Sequence, residues 1–402
     1  MNAVKIVVAC VILTISCYAG VNLYHYFFDT GAPTIGITGL EQNSCYADTI
    51  NCTVHASDEY KVCDLSVLLD NQDQILKRTR VNSANSKHPI TINSKELSDG
   101  SHTITVTATN GTYVRRSSTK TVSFMVDNEP LRASLMQPAG GFKVLQGRTA
   151  HIKIQANKPV KQATVSFENT PFTCCRQSPT ATIYECFIPI NCEEKPSQYQ
   201  LTATVKDSVG NTITLHDTVE VMAAQFRRQQ LSVDAEKIKR EKEMSMSNVQ
   251  LEQTLETIAH SSQAEKLWQG SFYVPTDIKG ISTEFGAIRV TQEKGRYYHK
   301  AVDIVNTPKS VIWAPQSGVV ALKERYALSG NTVVIDHGCG ICSLFFHLDD
   351  FAENIVVGHH IKQGNPIGTL GKTGYASGYH LHWEMRVNNI AVDPLQWTDV
   401  HF

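Results

Sequence analysis

The sequence predicts a mainly β protein with an N-terminal membrane helix, two β-sandwich modules, a linker helix and a C-terminal antiparallel-β domain. Three observations carry this expectation. An uncharged apolar run opens the chain, short alternating runs broken by turn residues fill its middle, and histidines recur at strand spacing near its end. At 402 residues with 42% hydrophobic and 19% charged side chains, the chain is long enough for two to four folded domains. A formal net charge of -1 and the lack of a Lys/Arg stripe argue against nucleic acid as a partner.

The opening element is IVVACVILTISCYAGVNLYHYFF, residues 6–28, which holds no Asp, Glu, Lys or Arg and can cross a bilayer as one helix. A cleaved secretory signal has a shorter apolar region and a small-residue cleavage site. This run instead continues into Tyr24, Tyr26, Phe27 and Phe28, an aromatic cluster suited to a membrane interface, so an uncleaved anchor over residues 1–30 is favoured. Lys5 before the span and Asp29 after it place the bulk of the chain outside the cytoplasm, in the periplasm or extracellular space.

Cysteine usage agrees with export. Beyond Cys10 and Cys17 in the span, the rest form three clusters: Cys45, Cys52 and Cys63; Cys174, Cys175, Cys186 and Cys192; and Cys339 with Cys342. Such grouping suits local disulfides in an oxidising compartment, with Cys339–Cys342 bracing a hairpin turn.

Residues 31–128 and 129–222 each read as a β-sandwich. SHTITVTATNG at 101–111 is echoed by YQLTATVKDSVGN at 199–211, an alternating strand running into a polar turn. Both modules resemble bacterial immunoglobulin-like domains, which implies a spacer role and allows a protein partner.

Residues 223–267 form the linker. Positions 223–265 contain no Gly or Pro and are rich in Gln, Glu, Lys and Ala, a helix composition. Leu251, Leu255 and Ile258 fall at i, i+4 and i+7 and make one apolar stripe. Such a stripe docks a connecting helix on a neighbouring domain. It also makes this segment the nearest element able to limit access to a site beyond it.

That site is announced by GYHLHWEMR at 378–386. On a strand His380 and His382 share one face, and Leu381 and Trp383 share the other. GRYYHKAVDIV (295–305) places His299 four residues before Asp303, and SLFFHLDD (343–350) adds His347. His and Asp are both good zinc ligands. A straight strand would separate His299 from Asp303 by roughly 13 Å, so the chain must bend between them if both bind one ion. Spacing alone does not say which histidines ligate.

The tail, about Phe272 to Trp397 within a domain at 268–402, resembles the M23 zinc metallopeptidases of the lysostaphin and LytM type, which cleave peptides of the bacterial cell wall. ISTEFGAIR (281–289) resembles the family's opening strand, HKAVD (299–303) its HxxxD motif and GNTVVIDHG (330–338) its central hairpin. GTLGKTGYASGYHLHWEMR (368–386) matches its glycine-rich turn and HxH strand. Carried over, the resemblance implies that His299, Asp303 and His382 bind Zn²⁺, that His347 and His380 are the catalytic pair, and that peptidoglycan peptides are the substrate. Ala301, Tyr379 and Trp383 depart from the family's usual residues without removing a ligand. His337 is expected to be structural. A wall-binding protein and a catalytically silent regulator are the competing function classes, and the survival of all five key positions favours an active enzyme.

Overall fold

A computed structural model describes residues 2–70, 74–230, 245–291, 295–400 and 402. The chain divides into two compact units, residues 1–130 with 208–211, and residues 131–207 with 212–402.

The first unit opens with a helix, Asn2–Phe28, that is long and apolar enough to cross a membrane. Its β-module is one hydrogen-bonded six-stranded sheet. The 21-residue strand Thr49–Leu69 pairs along its length with Gln74–Asn93. On its other edge the first half pairs with Thr34–Thr38 and the second with Gly100–Asn110. Even positions from Ile50 to Ala56 are buried, whereas Leu65, Val67 and Leu69 are buried at odd positions. The register shift between Val62 and Asp64 makes that switch, because one extra residue turns the inward face outward. A single strand thereby contributes both halves of its apolar side chains to one core.

In the second unit, strands between Ala133 and Met222 form a five-stranded and a three-stranded sheet around a shared core that includes Ile152, Ile154, Val165, Ile188 and Leu201. The C-terminal part is built on an eight-stranded antiparallel sheet. Its central strands are Val302–Val305, Leu381–Val387, Ile341–Leu348 and Gly330–Asp336, neighbours in that order. Leu381, Trp383, Met385 and Val387 are fully buried in the main core behind this sheet.

The two parts of this unit share side chains. Phe187 of the three-stranded sheet lies 5.7 Å from both Trp268 and Trp397, ring centre to ring centre. Thr149 and Gln396 exchange two hydrogen bonds, of 2.7 and 3.0 Å. Lys266 Nζ donates to Glu185 Oε2 at 3.0 Å and to the Phe402 carbonyl at 2.7 Å.

Cys175 and Cys339 form a disulfide across 164 residues of sequence, with Cα atoms 5.8 Å apart. This corrects the expectation of a local Cys339–Cys342 bridge. Cys342 sits on the strand Ile341–Leu348, on the same face as Leu344 and Phe346, and is a buried free thiol held protonated by burial. Cys339 lies in the turn before that strand, at a φ of 59°, and its sulfur meets the other part of the unit instead. Cys52, Cys174, Cys186 and Cys192 are likewise buried thiols, and Cys63 is an unbridged thiol, so the expected local pairings within those clusters are not formed by them.

The helix Ser245–Ser261 lies on the sheet. Leu251, Leu255 and Ile258 are buried against Val334, Leu344 and Phe346. The rest of the expected linker helix is not formed where the chain is described. Arg228–Gln230 is a short strand whose backbone pairs in parallel with the strand Ile288–Thr291, a tertiary pairing that overrides helix propensity, and residues 223–227 and 262–267 are not helical. Residues 231–244 fall outside the described residues.

Candidate functional site

Asp303, His382 and Phe346 lie side by side on three neighbouring strands, because Asp303 pairs with His382 and Phe346 pairs with His382 in the two registers. His299 follows the strand Gly295–Tyr298, and the chain bends at Ala301 before the next strand begins at Val302. That bend folds the HxxxD spacing on itself and leaves His299 Nε2 3.2 Å from Asp303 Oδ2. His382 Nδ1 is 2.8 Å from Asp303 Oδ1. One nitrogen or oxygen from each of His299, Asp303 and His382 lies within 4.8 Å of the others.

The remaining ring nitrogens are held from behind. His299 Nδ1 is 3.2 Å from the Glu284 carbonyl, and His382 Nε2 is 3.1 Å from Glu384 Oε1. A histidine that donates one N–H to a carbonyl or carboxylate presents its other nitrogen as a ligand, which is how metal-binding imidazoles are usually oriented. The donor set of two imidazoles and one carboxylate therefore fits a divalent metal, and in composition and number it fits an open zinc site.

His347 and His380 stand beside these three. Their rings are 4.9 Å apart, and the His347 ring is 5.9 Å from that of His382. His380 Nε2 is 3.9 Å from Asp303 Oδ1. Each has its Nδ1 on a backbone carbonyl, His347 on Thr373 at 2.8 Å and His380 on Gly378 at 3.0 Å, so each turns Nε2 away from that anchor. His347 adopts a left-handed φ of 61°, which carries its side chain out of strand alternation at the end of Ile341–Leu348. The turn GKTG supports that position. A side chain at Gly371 would collide with the backbone of His347 and Asp349, and one at Gly374 with that of Leu328 and Gly330.

The electrostatics follow from burial and pairing. Asp303 is costly to bury as a charge, but hydrogen bonds from His299 and His382 hold its carboxyl far below the usual range. Burial would lower His382, yet Asp303 and Glu384 lift it to about 9. His347 is pushed down to about 3, by burial first and then by the neighbouring His382 and His380. Burial opposes ionisation of Glu384 as well, but Arg386 and His382 hold it at about 2.

The five residues singled out from the sequence thus converge on one place. Those missed are Glu384 and Arg386, although GYHLHWEMR contains the signal. Positions 382, 384 and 386 share a strand face, so the acid and the base had to lie on the side of His382. His337 is not among the five. It is fully buried, with Nδ1 2.8 Å from the Ser317 carbonyl and Nε2 2.8 Å from Ser343 Oγ.

Residues 297–394 match the model of Peptidase family M23. Peptidoglycan DD-endopeptidase ShyC of Vibrio cholerae is 35% identical over 121 residues, 30% of this chain and 28% of that protein. DD-carboxypeptidase/endopeptidase Mpg of Neisseria meningitidis is 33% identical over 97 residues, 24% of this chain and 22% of that protein. The chain thus spans less than a third of the length of these relatives. A crystal structure of a putative peptidase M23 from Pseudomonas aeruginosa aligns with 63% of this chain and 94% of its own, at 22% identity and a TM-score of 0.43. The match takes in all five converging residues, and residues 297–394 are a metallopeptidase domain of family M23.

Proposed function

We propose that the protein is a zinc-dependent endopeptidase that cleaves peptide bonds of bacterial peptidoglycan, held at the outer side of the cytoplasmic membrane by its N-terminal helix. One observation carries this reading: three donors within 4.8 Å of one another stand beside two further histidines whose rings are 4.9 Å apart. In this reading His299, Asp303 and His382 hold Zn²⁺. When bound, the metal supplies Lewis acidity, lowering the pKa of a coordinated water and polarising a peptide carbonyl. His347 and His380 share the proton transfer and the stabilisation of the developing oxyanion, each from an Nε2 set by a carbonyl on Nδ1. Glu284 and Glu384 orient the two ligating imidazoles, through a carbonyl and a carboxylate respectively.

Placement outside the cytoplasm is supported by the apolar helix and by the Cys175–Cys339 disulfide, which suits an oxidising compartment. The immunoglobulin-like reading of the two β-modules belongs to the same proposal, with a spacing role and a surface open to a protein partner. Digestion of purified peptidoglycan by wild type and by His380→Ala, with products read by mass spectrometry, tests the activity. Release of cross-linked peptide fragments by wild type alone is expected. Binding to the wall without cleavage, unchanged when zinc is stripped, would leave a wall-binding protein instead.

A further inference from the structure

The strand register that builds the site also ties it to the helix Ser245–Ser261. Cys342 pairs with Arg386, Leu344 with Glu384 and Phe346 with His382, so these six side chains occupy one face of the sheet. Leu251, Leu255 and Ile258 of the helix cover the apolar half of that face. The polar half forms a chain of alternating charge. Glu384 bridges His382 and Arg386, with Oε1 3.1 Å from His382 Nε2 and Oε2 2.8 Å from Arg386 Nε. Arg386 then reaches the helix, donating from Nη1 to Glu252 Oε2 at 2.7 Å and from Nη2 to Glu252 Oε1 at 3.1 Å. Its Nη1 also donates to Asn389 Oδ1 at 3.0 Å. Lys300, the residue after His299, places its Nζ 3.6 Å from Glu252 Oε1.

Glu384 and Arg386 are each only 3% exposed. Charges taken this far out of water are tolerated only when fully paired, and a pair broken on one side leaves the other charge uncompensated. A two-pronged guanidinium–carboxylate contact is also directional, since its planar fork admits one relative orientation of the partners. Removing Glu252 therefore takes away the two-pronged contact that fixes the orientation of the Arg386 guanidinium and leaves its outer half held through Nη1 by Asn389. Glu384 loses its fixed partner, and the imidazole of His382 loses the acceptor that sets its rotation about the strand.

We propose that Glu384, Arg386 and Glu252 are positioning residues for His382, and that the helix Ser245–Ser261 is thereby a working part of the metal site. This rests on the reading of His382 as a ligand given above. Carboxylates behind a ligating histidine usually matter to metal affinity by about 10- to 100-fold. Glu384→Gln is expected to weaken zinc by about 10-fold or more, and Glu252→Ala, two links further out, by a smaller factor of about threefold or more.

The test uses the full-length chain in detergent. It reads zinc affinity by chelator competition, the visible spectrum of the Co²⁺-loaded protein, and melting of the metal-free protein. Glu252 lies on the helix surface with its side chain 36% exposed, so Glu252→Ala keeps the question answerable if Glu384→Gln folds poorly. A graded loss of zinc affinity and a changed Co²⁺ spectrum in both variants, with metal-free Glu252→Ala still melting cooperatively, support the proposal. Glu252→Asp, which keeps the charge, is expected to recover part of the loss. Zinc affinity within twofold of wild type in Glu252→Ala and in folded Glu384→Gln overturns the proposal. So does weakened binding with a wild-type Co²⁺ spectrum and a lowered melt. If wild type itself takes up no zinc, the metal reading fails and this inference with it.

Discussion

Phe346 stacks flat on the imidazole of His382, with ring centres 5.1 Å apart and planes within 6° of parallel. The contact joins the apolar seat of the helix Ser245–Ser261 to the site, because Phe346 also packs with Leu251, Leu255 and Ile258. Leu255→Ala opens a cavity in that seat and is expected to lower the stability of the C-terminal unit by about 2–4 kcal/mol, read by denaturant unfolding followed through tryptophan fluorescence. A chain beginning near Gly270, which lacks the whole helix, is expected to cleave peptidoglycan more slowly than one beginning near Ala223. If the shorter chain is faster at equal zinc loading, the helix limits access to the site and does not support it.

The two histidines of GYHLHWEMR are expected to separate cleanly by substitution. His299→Ala, Asp303→Ala and His382→Ala should each reduce bound zinc, measured by elemental analysis. His347→Ala and His380→Ala should retain it while losing about 10²- to 10⁴-fold in turnover, the usual range for a lost proton-transfer group. A metal-free His380→Ala beside a zinc-loaded His382→Ala would reverse the roles within the pair.

These five positions stood out in short local stretches of sequence, but their roles came from the M23 resemblance and not from spacing. HxxxD and HxH are short spacings, and strand alternation alone says that Leu381 and Trp383 turn from the histidines into the core. What the sequence hid depends on contacts between distant segments. Cys339 lies three residues from Cys342, yet bonds to Cys175 because the intervening turn and strand send the two side chains to different neighbours. The stripe Leu251, Leu255 and Ile258 announced a docking face, but not that Glu252 beside it would meet Arg386. The face switch along Thr49–Leu69 rests on one bulge, which composition does not mark.

The long-range disulfide carries its own expectation. Joining residues 164 apart in sequence closes a large loop, for which cross-links contribute about 2–5 kcal/mol, mainly by restricting the unfolded chain. Cys175→Ser or a reducing agent should therefore lower the melting temperature, and the two treatments should not add. Peptide mapping under non-reducing conditions should recover the segment around Cys175 linked to that around Cys339. Recovery of a Cys339–Cys342 loop in its place would restore the local bridge.

His337 sets the last expectation, a dependence of stability on pH that lies outside the proposed metal site. Burial pushes this histidine down to about 4, against a partial lift from the Ser317 carbonyl, while in the unfolded chain it titrates near 6.5. The folded form therefore binds its proton less readily than the unfolded form. Between pH 6.5 and 4 the unfolded state holds the extra proton, so stability is fully present above about 6.5 and is lost as pH falls toward 4. One proton accounts for at most about 1.4 kcal/mol per pH unit within that window. Other groups add their own slopes; Glu185, held at about 2 by His151 and Lys266 in spite of its burial, acts mainly below pH 4.5. His337→Gln keeps a side chain able to bond Ser317 and Ser343, and it does not titrate. It is expected to flatten the fall in stability between pH 6.5 and 4 while leaving the steeper acid limb in place. Denaturant midpoints of wild type and variant measured across this range decide the matter, and parallel curves would show that His337 does not stay neutral in the folded core.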